Sequence, residues 1–323
     1  MSVALAVDVG GTKLAAGLVD GAGTVLAADR VPTPRSPDAE VIWTALADLV
    51  RRVHAKAAAA PVGIGVGCGG PMVWPAGRVS PLNIGGWRDF PLRDRLRDLA
   101  RELGAGNGSE DDVRIHNDAV CVAVAEHWRG AGRGRANVLG MVVSTGVGGG
   151  LVLGGRLVDG ARGNAGHIGH VCVDPRGPEC ACGARGCLEA VASGPRTAAW
   201  ARDEGWANPA GDDAATLTAD ARAGHPVALA ALRRAGEALG VAIASAAHLC
   251  DLDVVAVGGG LAQAGDLLFG PLHAAYEAQA RMDFVRATRI VPAALGQEAG
   301  LVGAAALVLG SGAYWSPGSS ART

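Results

Sequence analysis

Lysine is almost missing from this sequence. Of its 29 basic residues only Lys13 and Lys56 are lysines; the rest are scattered arginines that never gather into a polybasic run. With 31 acidic residues and a net charge of −2, nothing forms the basic footprint that a nucleic-acid or anionic-membrane surface requires. Long hydrophobic runs are missing too. The longest, Ala299–Leu309, falls well short of the roughly 20 residues that span a bilayer. The N-terminus shows no basic segment followed by an apolar one, so no signal peptide is expected and the reading is cytoplasmic. There is no G-x-x-x-x-G-K-[ST], which excludes a Walker loop. The seven cysteines are an odd number, and three of them are clustered, a pattern suited to a reduced protein holding a metal rather than to a disulfide framework.

What is abundant is glycine, 50 residues in 323, a length that suggests two domains or lobes. Val3–Val9 is a strand-like apolar run ending at Asp8, followed by Gly10-Gly11-Thr12-Lys13. Two further runs, Leu14–Val19 and Thr24–Ala28, complete a predicted β-meander. The pattern recurs: Val138–Val143, then Ser144 to Gly150 as a glycine turn containing Thr145, Gly146 and Gly148, then Leu151–Leu153. Two copies, each followed by helix and strand, predict a duplicated α/β domain. Between and after them the spacing predicts helices from Pro37 to about Ala59 with Ser36 as N-cap, and over Pro91–Leu103 and Ala119–Trp128. Further helices are expected across most of Arg196–Ala223, over Pro226–Leu249, from about Gln263 to Arg281, and over Glu298–Leu309. Asp253–Val257 is a buried-type strand ending in Gly258-Gly259-Gly260, and Ser311–Thr323 reads as a mobile tail. Gly65-x-Gly67-x-x-Gly70 matches a dinucleotide fingerprint as text, but Pro71 stands where that motif needs a helix.

Cys180, Cys182 and Cys187 form a C-x-C-x4-C cluster on a glycine-rich segment, with His170 ten residues upstream. Three thiolates and one imidazole complete a closed tetrahedral site of structural zinc type, and Gly183 and Gly186 let the chain fold tightly enough for the sulfurs to converge. Glycine at 10 and 11 likewise permits backbone N–H groups to approach phosphate oxygens. Thr12 offers a hydroxyl, Lys13 a point charge, and Asp8 a carboxylate suited to Mg²⁺ through water. Asn117-Asp118 precedes a predicted helix and suits an N-cap as well as a catalytic pair. Trp87 suits packing or a ligand platform equally, and His116, His127 and His248 read as ordinary core or helix residues.

The run Gly-His-Ile-Gly-His from Gly166 to His170, followed by Cys-x-Cys-Gly-x-x-Gly-Cys-Leu-Glu-Ala, resembles the zinc signature of the ROK family of bacterial sugar kinases and sugar-sensing repressors. The resemblance implies an actin-like, hexokinase-like fold of two lobes around a cleft, drawn here as 1–117 plus 298–310 and 118–297, with 311–323 as tail. It implies zinc on His170, Cys180, Cys182 and Cys187. The sugar would be held by Gly70, Asn83, Asn117, Asp118, His167, His170 and Glu189, and Asp118 would be the catalytic base. ATP with Mg²⁺ would occupy Asp8, Gly10–Lys13, Thr145, Gly146 and Gly148, with adenosine against Gly258, Gly259 and Gly260. A homodimer or homotetramer is expected, with sugar and ATP as the only other partners.

The repressors carry a helix-turn-helix ahead of the first glycine loop, for which the residues before Asp8 leave no room. One departure bears on substrate. The family usually has Glu where this chain has His167, whereas N-acetylmannosamine kinases resemble it in carrying His within a similar Gly-His-Ile-Gly-His-x-x-x-Asp-Pro-x-Gly-Pro stretch. An amino- or N-acylamino-hexose, of N-acetylmannosamine or 3-amino-3-deoxyglucose type, is therefore expected, with glucose the alternative.

Overall fold

The computed structural model describes residues 2–315. The chain forms two compact units, one from residues 1–134, 155–165 and 297–323, the other from 135–154 and 166–296.

The first unit is built on a five-stranded sheet in the order Val25–Pro32, Lys13–Asp20, Val3–Val9, Ile64–Cys68, Val113–Asn117. The first two pairings are antiparallel and the last two parallel. Side chains alternate across this sheet as period-2 geometry demands. Leu5, Val7, Val9, Leu14 and Leu18 pack under the helices Ala39–His54 and Leu92–Leu103. Ala4, Ala6, Ala15 and Val19 face the helices Asp118–Arg129 and Ala299–Leu309. On that second side the sheet and helix touch backbone to backbone: a Cβ on Gly65 would lie 1.7 Å from the Ala304 carbonyl oxygen. Gly65 and Gly67 therefore serve strand–helix contact, and no helix follows Gly70, where the chain turns into the cis Gly70–Pro71 bond.

The second unit repeats the last four positions of that order with Val147–Leu153, Val138–Val143, Val254–Gly258 and Arg289–Pro292, the first of these pairings antiparallel and the other two parallel. Leu139, Met141, Val143, Val255 and Val257 form a core with the helices Pro226–Cys250 and Asp266–Gln279. Gly236 and Gly240 bring these two helices close, since a Cβ on either would strike the Leu268 or Leu272 carbonyl within 2.5 Å. The repeated strand order is the duplicated, actin-like α/β architecture.

Several expected boundaries move. Asp38, not Ser36, caps the first helix, its carboxylate accepting from Glu40 N while Ser36 Oγ accepts from Asp38 N, and that helix ends at His54. The span 196–223 is two helices, Gly194–Asp203 and Ala214–Arg222, broken where Gly205, Asn208-Pro209 and Gly211 cannot continue a helix. The division between units falls after Gly134 rather than at Asp118, because Asp118–Arg129 packs on Ala299–Leu309, and residues 155–165 also belong to the first unit. The expected tail is ordered where it is described. Ser311–Tyr314 is helical, and Tyr314 and Trp315 are 4 % and 5 % exposed. Residues 316–323 lie outside the described residues. Among the described residues no helix is long and apolar enough to cross a membrane.

Candidate active site and metal centre

In the first unit the predicted residues converge at the C-terminal ends of the parallel strands. Gly10-Gly11-Thr12 turns tightly between Val3–Val9 and Lys13–Asp20, with Gly10 N donating to Lys13 O at 3.0 Å. Thr33 holds the turn from outside, its Oγ1 donating to Gly10 O at 2.6 Å and its N to Thr12 O at 3.1 Å. The Asn83 side chain lies directly on Gly11, where a Cβ would come within 2.5 Å of it. Gly69 faces the same group, its Cβ position being 3.8 Å from Asp118 Oδ2 and 3.9 Å from Asn83 Oδ1. Gly70 sits 3.7 Å from Asn117 Nδ2 on the same measure.

Asn117 is the N-cap of Asp118–Arg129, its Oδ1 accepting from Ala119 N at 3.0 Å; Asp118 Oδ1 accepts from the same amide at 2.8 Å. Both side chains of the pair thus serve the start of this helix, and the Asp118 carboxylate at the same time faces Gly69. Asp8, at the end of its strand, approaches Gly300 so closely that a Cβ there would be 2.8 Å from Asp8 Oδ2. Burial first, and the negative charge of Asp118 second, hold the Asp8 carboxyl up at about 6, with Lys13 pulling the other way. Two buried thiols lie in the same field. Burial, reinforced by the Asp8 and Asp118 charges, pushes Cys68 and Cys121 well above the usual thiol range.

Trp87 resolves to packing: it is fully buried, stacked on Phe90 at 4.5 Å, with Nε1 donating to Ala39 O. His116, read from the sequence as an ordinary residue, is 1 % exposed and adjoins the Asn117-Asp118 pair. His127 bonds Tyr314 and His248 bonds a helix carbonyl, both in line with expectation.

In the second unit His170, Cys180, Cys182 and Cys187 offer ligand atoms that all lie within 4.8 Å of one another. Cys182 Sγ and Cys187 Sγ are 3.7 Å apart, and Cys180 Sγ is 3.8 Å from His170 Nδ1. With metal–sulfur bonds of about 2.3 Å, a tetrahedron has S···S edges of about 3.8 Å, so the spacing fits one four-coordinate ion. The loop is shaped by Gly186, at φ +70°, where a Cβ would overlap the Asp174 carbonyl oxygen, and by Gly183 at φ +90°. Ala184 N beside Cys182 lowers that thiol, whereas burial pushes Cys187 up to about 12, with the neighbouring sulfurs adding to it. A dication would reverse that penalty by binding the thiolate.

Directly after Cys187 the short helix Leu188–Ala192 carries Glu189, whose Oε2 accepts from Val147 N at 2.9 Å. The same carboxylate covers Gly146, whose Cβ position lies only 2.7 Å from that oxygen. The cysteine loop is thus tied to the second glycine turn. His167 is exposed at the start of the 3₁₀ turn Ile168–His170, its ring 6.2 Å from that of His170.

The second glycine turn borders a cavity of about 420 Å³ that joins Thr145 to Gly260 and is completed by Ser144, Pro195, Arg202 and Asp213. Gly259, at φ +96°, crosses so near Val143 that a Cβ would sit 2.3 Å from its carbonyl oxygen, and Gly258 closes its strand with no side chain. Gly148 lies within the strand, paired with Val142, and not in this cavity's lining. Arg202 and Asp213 were missed in the sequence. The Gly194-Pro195 helix start and the break at 204–213 are the signals that could have drawn attention to them.

Two repeats of strand, glycine turn and strand, each opening a half of identical strand order, define an actin-like α/β protein with a glycine turn in each half. Within that class the chain belongs to the ROK family, whose sequence profile matches residues 4–311. It is 34 % identical over 318 residues to a glucokinase of Thermotoga maritima, spanning 94 % of this chain and 96 % of the relative. It is 35 % identical over 306 residues to an N-acetylmannosamine kinase of Yersinia pseudotuberculosis, spanning 94 % and 98 %. A ROK glucokinase of Streptomyces griseus, solved in complex with glucose and AMPPNP, superposes with a TM-score of 0.79 at 32 % identity, covering 95 % of this chain and 99 % of that one.

Proposed function

We propose that this protein is an ATP- and Mg²⁺-dependent sugar kinase that phosphorylates the 6-hydroxyl of a hexose, with one structural zinc. The observation that carries the reading is the convergence of Asp8, the Gly10–Lys13 turn, Asn83 and Asn117-Asp118 in one unit. The relatives named as sugar kinases support the class of reaction.

In this mechanism Asp118 accepts the proton of the 6-hydroxyl as its oxygen attacks the γ-phosphorus. The bond from the γ-phosphorus to the β–γ bridging oxygen breaks, and ADP leaves. Asn117 anchors the base to the helix start through Oδ1 and turns its amide N toward Gly70, where a sugar hydroxyl can accept. The Gly11 and Thr12 amides and Lys13 Nζ would neutralise phosphate oxygens, as would the Thr145 and Gly146 amides and the Thr145 hydroxyl. Asp8 would hold Mg²⁺ through water, and the metal would supply charge neutralisation to the phosphates. The cavity between Thr145 and Gly260 suits a nucleoside, which favours ATP over polyphosphate as donor. His170, Cys180, Cys182 and Cys187 would hold zinc and so set the loop carrying His167 and Glu189.

His167 favours an amino- or N-acylamino-hexose, such as N-acetylmannosamine or 3-amino-3-deoxyglucose. A neutral imidazole presents one donor and one acceptor in place of the acceptor-only carboxylate usual in the family. The glucokinase relatives favour glucose as the second reading. Comparing kcat/KM for glucose, N-acetylmannosamine and 3-amino-3-deoxyglucose by ADP release separates them. Glucose preferred by tenfold or more, about 1.4 kcal/mol of transition-state binding, would sink the amino-sugar reading. Saturable sugar binding with no ADP release from any hexose would indicate a sugar-sensing regulator instead.

A further inference from the structure

His116 was assigned no role by its sequence context, yet its environment is built with care. The ring is 1 % exposed and makes two directional bonds. Asn117 N lies 2.8 Å from His116 Nδ1, and a backbone N–H can only donate, so Nδ1 is the unprotonated acceptor. Nε2 must then carry the proton of a neutral ring, and it donates to Asp159 Oδ1 at 3.2 Å. Asp159 is 8 % exposed and comes from residues 155–165, which join the first unit from far along the chain. Trp74 seals the arrangement. Its ring centroid lies 5.8 Å from that of His116, and it covers Gly163, where a Cβ would fall 2.5 Å from Trp74 Cγ. Asp159 also closes its own loop, its carbonyl accepting from Ala165 N at 3.1 Å.

We propose that His116, its tautomer set by Asp159, is a positioning residue for the reaction: it fixes the Asn117 amide, and through it the point where Asp118 leaves the strand for the helix. The inference rests on Asp118 being the base. A buried carboxylate that selects the tautomer of a histidine, whose other nitrogen then orients a neighbour, is an economical way to set a reacting group within a fraction of an ångström. Here the oriented neighbour is a backbone amide. Loss of the acceptor leaves a half-buried N–H without this partner, which the chain relieves by shifting the helix start that carries Asp118. The 155–165 loop runs directly into Gly166 and His167, so the same bond pins the chain leading to the residue proposed to read the sugar.

The test is kinetic. His116→Leu keeps bulk and removes both bonds; kcat should fall tenfold or more while KM for ATP stays within twofold. His116→Asn restores an acceptor near the Nδ1 position and should recover kcat to within about threefold of wild type. Combined with Asp118→Asn, His116→Leu should cost no more than a further twofold, because its effect passes through Asp118. Wild-type kcat in His116→Leu overturns the proposal, as does a full tenfold further loss in the Asp118→Asn background, which marks general structural damage. If His116→Leu yields no folded protein, Asp159→Asn decides. It preserves shape and should lower kcat three- to tenfold at unchanged KM for ATP, and unchanged kcat overturns the proposal. Near-normal turnover in Asp118→Asn alone would instead remove the base on which the inference stands, an outcome distinct from the others.

Discussion

Asp8 gives the most exacting test of the electrostatics. Its carboxyl is held at about 6, chiefly by burial and then by the charge of Asp118, against the opposing pull of Lys13. If the ionised form is what receives Mg²⁺, binding of Mg²⁺–AMPPNP should weaken as pH falls through about 6. One proton is involved, so affinity at pH 5 should be about a tenth of its plateau value. An unperturbed aspartate would leave it almost unchanged at that pH. The causes can be separated by mutation. Asp118→Asn removes the second of them, so the midpoint should move to lower pH, and Lys13→Met removes the opposing charge, so it should move higher. Calorimetric titration of the three proteins from pH 4.5 to 8 makes the comparison, with circular dichroism confirming the fold at each pH. The nucleotide's own titration is common to all three and cancels. Identical midpoints, or affinity that is flat down to pH 5, would refute the reasoning.

The same shift has a stability consequence of defined sign. A folded-state value raised above the unfolded 3.8 means that ionised Asp8 costs stability above pH 6, and that the cost disappears as pH falls from 6 to about 4. Asp8→Asn should therefore raise Tm at pH 7.5, lose that advantage at pH 4, and lower kcat by about two decades or more. For the metal centre, metal analysis should find about one zinc per chain, and Cys182→Ser should lose zinc and thermal stability together; metal-free protein purified without chelators would end the assignment. His167→Glu should move substrate preference toward glucose by tenfold or more, and an unchanged preference would mean that the residue does not read the sugar. Gly65→Ala drives a methyl into the Ala304 carbonyl and should cost about 3 kcal/mol in denaturant unfolding, at the upper end for overpacking. A cost under 1 kcal/mol would show that the helix Ala299–Leu309 can retreat.

The features legible in the sequence are those whose chemistry is local. Cys180, Cys182 and Cys187 lie within eight residues, with His170 ten residues before them, so the ligand set is readable from spacing, and the structure brings all four to the distances a tetrahedral ion needs. The two glycine turns are short-range as well, each made by neighbouring strands of one meander, and their repetition carried the duplicated fold. Most helix ends were legible to within a few residues; the first helix, which stops at His54, and the break between Gly194–Asp203 and Ala214–Arg222 were not.

Tertiary structure decided everything that depends on two distant segments meeting. Gly65 and Gly67 have the text of a phosphate fingerprint, but Gly65 is glycine because the helix Ala299–Leu309, some 240 residues later, presses its backbone against the strand, and Gly67 because Cys121 of the helix Asp118–Arg129 lies over it. Asp118 belongs with the first unit because its helix buries Val120 and Val124 against Leu301 and Ala305, a pairing no local pattern announces. His116 carries no motif at all. What makes it more than a core histidine is Asp159, 43 residues away, which the fold delivers to Nε2 while the neighbouring Asn117 amide occupies Nδ1.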